Sequence, residues 1–243
     1  MPRLARKNLE SSFLHIIVQG INRSYIFQDN TLKSTYKSIL KRNLEDTNVK
    51  ILAYCIMDNH AHILMHSENI NEISQIMKKT NTSYAMLYNK TNKRVGYVFR
   101  NRYYVQMILS ERQLYNCISY IHKNPLKAGI AKNLSDYKYS SYIEYLHKKE
   151  LITSEGIKLA LGSSKDFLAI FHEIHKLDDI EDIKDIVEEY ENPDIVIQKY
   201  LKEISMTLEN IKTDKKLLAE LLIRLRHQAR FIVKRYGKNF KYK

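Results

Sequence analysis

The chain has 243 residues, 44% of them hydrophobic, enough for one large domain or a domain with an appendage, and it lacks a run of about 18 apolar residues that could cross a membrane. Its two cysteines lie far apart in apolar-looking segments, which favours buried thiols over a disulfide framework or a zinc site. The basic start MPRLARKNLESS has no signal-type apolar stretch behind it, so a cytoplasmic protein is expected. The net charge of +13 divides into +12 over residues 1–150, −8 over 151–210 and +9 over 211–243, which favours a polyanionic partner, nucleic acid before any other.

In chain order, SSFLHIIVQG (11–20) is apolar, β-branched and closed by glycine, and predicts a strand. DNTLKSTYKSILKRNLED (29–46) has apolar residues at 32, 36, 39, 40 and 44, which is helical spacing, with Asp29 or Asn30 as its cap. VKILAYCIM (49–57) and HAHILMH (60–66) are two strands joined by the short turn Asp58-Asn59, a hairpin. NINEISQIMKKTNTSYAMLYNKT (69–91) predicts a long helix, and RYYVQMIL (102–109) a fourth strand with a less clean pattern. Ser110 opens a helix through ERQLYNCISYIHKN (111–124), which Pro125 should stop. The order βαββαβα fits an α+β fold, a ferredoxin-like antiparallel sheet with helices on one face. After about residue 150 the patterns are all helical, acidic over 178–194 and basic over 214–239. The expected division is therefore 1–150 for the α+β domain and 151–243 for a helical extension.

MDNHAHILMH (57–66) carries three histidines of one parity. On a strand, His60 and His62 face the same side with Cα atoms about 6.5–7 Å apart, so two imidazoles could converge on one ion. His66 lies about 13 Å further along by the same rise and reads as a DNA contact or a surface residue. Alone, the pair could equally be two polar residues on a half-exposed strand. No soft ligand lies nearby, so a third oxygen donor with open positions would suit Mg²⁺ or Mn²⁺ rather than structural zinc. LYNCISYIHKNP (114–125) offers one: Tyr120 and Asn124 are one helical turn apart, and Asn124 could lend its carbonyl oxygen to a hard cation. The bland alternative is a packing tyrosine and a residue at the helix end. Tyr115 is a rival nucleophile on a different face.

AYCIMDNHAHILM, followed about 60 residues later by YIHKNPLKAGI, resembles the single-tyrosine transposases of the HUH superfamily. More narrowly the chain is similar to REP-associated tyrosine transposases, relatives of the insertion-sequence 200-like enzymes. PRLAR, HIIVQGINRSYIF (15–27), GYVFRNRYY (96–104) and YKYSSYIEYL (137–146) extend the resemblance over roughly residues 1–150. The resemblance implies metal binding by His60, His62 and Asn124 with Mg²⁺ or Mn²⁺, and Tyr120 as the nucleophile. It implies nicking and rejoining of single-stranded, hairpin-containing repeat DNA through a 5′-phosphotyrosine. Asp58 stands where the family often has proline, Phe99 where it usually has tryptophan, and Gln19-Gly20-Ile21-Asn22-Arg23 where it has Arg-Gly-Asn-Asn-Arg.

Candidate DNA contacts are Arg3, Arg6, Asn22, Arg23, Arg94, Arg100, Arg102 and Lys127, with Tyr97, Phe99 and Tyr103 for base stacking. A monomer is favoured over a dimer, and the basic last block could be a remnant DNA-contacting tail. The competing readings are an autonomous dimeric insertion-sequence transposase, a domesticated non-catalytic nucleic-acid-binding protein on the same fold, and a metal-dependent phosphodiesterase that uses water.

Overall fold

The computed structural model describes residues 11–147, 149–162 and 166–176, with isolated positions between 183 and 218. Arg3 and Arg6 lie outside the described residues, as do nearly all positions of the helices expected over 178–194 and 214–239.

Four strands, β1 (Phe13–Gln19), β2 (Lys50–Ile56), β3 (His60–His66) and β4 (Tyr104–Met107), form one antiparallel sheet in the order β2-β3-β1-β4. Helices α1 (Asn30–Leu44) and α2 (Ile70–Thr91) complete a ferredoxin-like α+β unit. Both begin as the sequence requires. Asp29 accepts from the Leu32 N–H at 2.8 Å and Asn69 from the Asn71 N–H at 3.1 Å. The two helices pack on each other, and Lys37 of α1 stands over the Tyr54 ring on one face of the sheet. The other face carries His15, His60, His62 and Cys55, and helix α3 (Glu111–Lys127) lies across it.

The fourth strand is shorter than the apolar run suggested, because Arg102 and Tyr103 bond to α2 instead of joining β4. Asn81 donates to the Arg102 carbonyl at 3.2 Å, and Tyr103 Oη lies 3.3 Å from Ser74 Oγ.

Helix α3 corrects the expectation at Pro125. The proline sits inside the helix, which runs on to Lys127 and closes with Ala128 N–H on Asn124 O and Gly129 N–H on Leu126 O. Proline removes one amide donor, but in the last turn that costs only the single bond to the carbonyl four residues back. The extra turn keeps Lys127 on the same rod as Tyr120.

Beyond α3 the chain returns to the free edge of β2. Ile56 N–H donates to Tyr139 O, Ser141 N–H to Tyr54 O, and Ile152 forms a parallel bridge with Ile51. These contacts cover the unpaired side of the strand. Helices α4 (Tyr142–Leu146), α5 (Ser154–Leu161) and α6 (Phe167–Lys176) follow, and Leu151, Ile157, Leu161, Phe171 and Ile174 join the same hydrophobic core as the sheet. The chain thus crosses residue 150 without leaving that core. Cys55 and Cys117 are both buried free thiols.

Candidate active site

Strand β3 is buried along its whole length, on both faces, because it is central in the sheet and covered by helices on both sides. The half-exposed strand that a bare pair of histidines allows is therefore not what forms. His66 also departs from the expected surface role. It is buried, its ring packs on Phe13 at 4.6 Å, and its Nε2 lies 3.3 Å from Glu68.

His60 and His62 stand with ring centroids 4.9 Å apart, and the Tyr120 ring meets His62 edge-on at 5.5 Å. Tyr120 is 4% exposed, His60 5% and Asn124 7%, so only their edges reach solvent. Burial lowers the His60 pKa to about 4 and puts that of His62 well below its ordinary value, with the neighbouring rings of His60 and His15 adding to the effect on His62. Both imidazoles are neutral at pH 7, the form that binds metals.

Two buried nitrogens, Nε2 of His60 and Nε2 of His62, have no hydrogen-bond partner. A buried polar atom without a partner costs about 1–3 kcal/mol, so this pair asks for a ligand. His60 Nδ1 donates to Asn59 Oδ1 at 2.6 Å, which leaves its Nε2 as a bare lone pair. Asn124 Nδ2 donates to the Tyr120 carbonyl at 2.9 Å, which leaves Oδ1 as the atom available to a cation. Among the described residues no three His, Cys, Asp or Glu side chains group to hold a metal. The donor set that fits is two imidazoles plus one amide oxygen, with positions left for water and phosphate.

Tyr115, the rival, is bonded elsewhere. Its hydroxyl donates to Glu111 at 2.6 Å on the outer side of α3, and that carboxylate, with some burial, pushes its pKa up to about 12.

The candidate DNA contacts among the described residues lie in four places. Lys127 is exposed and holds its ammonium 4.9 Å from the Tyr120 ring centroid. Arg100, Arg102 and Tyr103 line a groove of about 970 Å³ against α2, together with Lys78, Met86 and the exposed Tyr97. Phe99 is half-buried: its ring packs against Phe27, Tyr36 and Tyr84 at 6.0–6.5 Å, and the residue also lines the same groove. Asn22 and Arg23 sit in a tight turn with φ of 50° and 58°. Arg94 lies over the Tyr88 ring at 5.6 Å.

These loops are tied to the histidine strand. Gln19 pairs with His60, its backbone carbonyl accepts from Arg100 N–H at 2.8 Å, and its side chain accepts from the Arg100 guanidinium at 3.3 Å. Gly20 N–H donates to Asn59 O, and Ile21 N–H to Val98 O. A Cβ on Gly20 would lie 2.2 Å from the Ser24 carbonyl oxygen, so only glycine fits that turn. Gly20→Ala is expected to cost about 1–3 kcal/mol through forced crowding. It should lower both the urea midpoint and the affinity for a single-stranded oligonucleotide. The turn of the hairpin is also anchored, for Asp58 accepts from Lys33 Nζ at 2.6 Å.

One residue at the site was missed in the sequence. His15 on β1 places Nε2 3.0 Å from His62 Nδ1, and its ring lies 6.1 Å from that of Tyr120. It shares the parity of the histidine row across an adjacent strand, but only the register of β1 against β3 reveals the meeting.

Three comparisons bear on this site. The IS200-like transposase family model matches residues 8–124, a span that contains His60, His62 and Tyr120 and ends on Asn124. A protein of Haemophilus influenzae named as a REP-associated tyrosine transposase is 25% identical over 140 residues, 54% of this chain and 78% of that one. A solved structure of a REP-associated tyrosine transposase bound to a REP hairpin superimposes with a TM-score of 0.50 at 16% identity. It covers 77% of this chain and 100% of that one, which speaks for a shared fold.

Proposed function

Because residues 8–124 belong to the IS200-like transposase family, we propose that the chain nicks and rejoins single-stranded DNA beside a hairpin, with Tyr120 as nucleophile. The observation that carries this reading is the Tyr120 ring meeting His62 edge-on, with His60 beside His62 and the buried Nε2 atoms of both histidines without partners. His60 Nε2, His62 Nε2 and Asn124 Oδ1 would hold a divalent cation, Mg²⁺ or Mn²⁺. Bound there, such a cation polarises the scissile phosphate and offsets its developing charge.

Tyr120 Oη forms the new bond to phosphorus, and the bond from phosphorus to the 3′ oxygen breaks in line with it. The phenolic proton leaves and the departing 3′ oxygen takes up a proton, so the nick ends as a 5′-phosphotyrosine and a free 3′-hydroxyl. Rejoining is the same exchange in reverse and needs no ATP, because the phosphodiester linkage is never hydrolysed. Lys127, over the Tyr120 ring, gives the phosphate a positive partner. Arg100, Arg102 and Tyr103 along their groove, with Asn22 and Arg23 in the adjoining turn, hold the strand that flanks the hairpin. In this reading residues up to about 150 carry the chemistry, α5 and α6 belong to the same core, and the net +9 of residues 211–243 would add attraction for DNA.

The test is a labelled hairpin oligonucleotide with single-stranded flanks, incubated with Mg²⁺ or Mn²⁺ and then boiled in detergent. A protein–DNA adduct that survives boiling and disappears with EDTA is the expected result. Cleaved DNA without an adduct would instead indicate a water-using phosphodiesterase. A gel shift with neither cleavage nor adduct would indicate a non-catalytic binding protein.

A further inference from the structure

His62 has one nitrogen bonded and one without a partner. Nδ1 lies 3.0 Å from His15 Nε2, with the two rings 20° from parallel, and Nε2 is buried and unpaired. Exactly one proton can sit between Nδ1 and His15 Nε2. If His15 supplied it, the neutral His62 would carry its own hydrogen on Nε2, and a buried N–H would be left with no acceptor. If His62 Nδ1 supplies it, His62 Nε2 becomes a bare lone pair, and His15 keeps its hydrogen on Nδ1. His15 Nδ1 is itself buried without a hydrogen-bond partner, but Gln106 is its neighbour across β1 and β4 and acts on the His15 ring, so that hydrogen has a side-chain oxygen at hand that His62 Nε2 lacks.

From this geometry we propose that His15 is a positioning residue. It fixes His62 in the Nδ1-protonated tautomer and holds its ring so that the Nε2 lone pair faces the cation site. The proposal rests on the reading of that site given above. His60 obtains the same tautomer from its chain neighbour Asn59, whereas His62 obtains it from a different strand, diagonally across the β1–β3 register. A ligating histidine is normally held in this way through its other nitrogen, and loss of such a partner weakens metal binding about 10–100-fold.

The experiment uses the full chain and two readouts. Imidazole ¹⁵N NMR of the metal-free protein reports the His62 tautomer, and calorimetric titration with Mn²⁺ reports affinity. Wild type is expected to show His62 protonated on Nδ1. His15→Phe, which fills the space but cannot accept, is expected to mix the tautomers and weaken Mn²⁺ about 10–100-fold with the fold retained by circular dichroism. His15→Gln, which keeps an acceptor at the same reach, is expected to restore most of the affinity. The proposal is overturned if wild-type His62 is protonated on Nε2, if His15→Phe binds Mn²⁺ as wild type does, or if His15→Gln is as weak as His15→Phe. The wild-type tautomer decides the matter even if His15→Phe fails to fold. A wild-type protein that binds no Mn²⁺ refutes the metal-site reading, while the tautomer still settles the role of His15.

Discussion

Replacing Tyr120 by phenylalanine is expected to abolish the detergent-stable DNA adduct and to lower cleavage of a hairpin oligonucleotide by more than about 10³-fold, with DNA binding retained. The substitution is a clean one because of where the ring sits. Phenylalanine keeps the edge contacts with His15 and His62 and stays beneath the Lys127 ammonium, and it loses only the oxygen that would bond to phosphorus. The fold should lose about 1 kcal/mol, the usual net worth of one buried hydroxyl's hydrogen bonding. Tyr115→Phe is the matched control. Its hydroxyl points to Glu111 on the outside of the same helix, so activity should stand unchanged. If Tyr120→Phe still forms the adduct while Tyr115→Phe does not, the nucleophile has been misassigned.

The two results together would also separate chemistry from binding. The groove along α2 and the turn at Asn22 are linked to the histidine strand through Gln19 and Gly20, not through Tyr120. Phenylalanine at 120 leaves those backbone bonds in place. A variant that binds but does not cleave is therefore the natural outcome of the architecture, and the adduct, not the gel shift, is the diagnostic signal.

Much of this arrangement is legible in the sequence, and the reasons are local. Strand alternation puts His60 and His62 on one side, and helical spacing puts Asn124 one turn from Tyr120. Capping chemistry at Asp29 and Ser110 marks two of the helix starts. What could not be read depends on pairing between distant segments. His15 meets His62 only because β1 and β3 align in one particular register. The burial of His66 and of the whole of β3 follows from its central place in the sheet, which the alternation within one strand does not specify. Pro125 misled for a different reason. A proline removes only its own amide donor, and the burial of α3 on the sheet outweighs that one lost bond, so the helix continues and places Lys127 over the Tyr120 ring. An interleaved basic and aromatic stretch does not reveal how far each ring is buried: Tyr97 is exposed, while Phe99 is half-buried, packing on Tyr36 and Tyr84 and lining the groove.

The buried histidines make a second large effect, this time on stability. His15, His60 and His175 have pKa values lowered to about 4, and His62 and His122 lie well below their ordinary value, in each case first because burial disfavours the charged ring. In the unfolded chain each titrates near 6.5. Between pH 6.5 and 4 the unfolded state therefore binds more protons, and stability, complete above about pH 6.5, is lost as pH falls. Each of the three with a value near 4 contributes roughly 3 kcal/mol over that range, so together they rival the 5–15 kcal/mol that ordinarily holds a domain folded.

His122 and His175 show what protonation would break. Tyr54 N–H donates to Ser141 Oγ at 2.8 Å, and Ser141 Oγ lies 2.7 Å from His122 Nε2. His122 Nδ1 lies 2.8 Å from His175 Nε2, and His175 Nδ1 donates to the Phe171 carbonyl at 2.6 Å. The chain of bonds has one direction, and it joins β2, α3 and α6. A second proton on His175 would set two N–H donors face to face, inside a cage of the Tyr142, Tyr145 and Phe171 rings. Urea midpoints measured from pH 7.5 downward should fall steeply below about pH 6.5. His175→Gln, which cannot titrate, should give a lower midpoint at pH 7.5 but a slope shallower by about one proton. A wild-type midpoint that is the same at pH 7.5 and pH 5 would show that these rings are not held neutral by the fold.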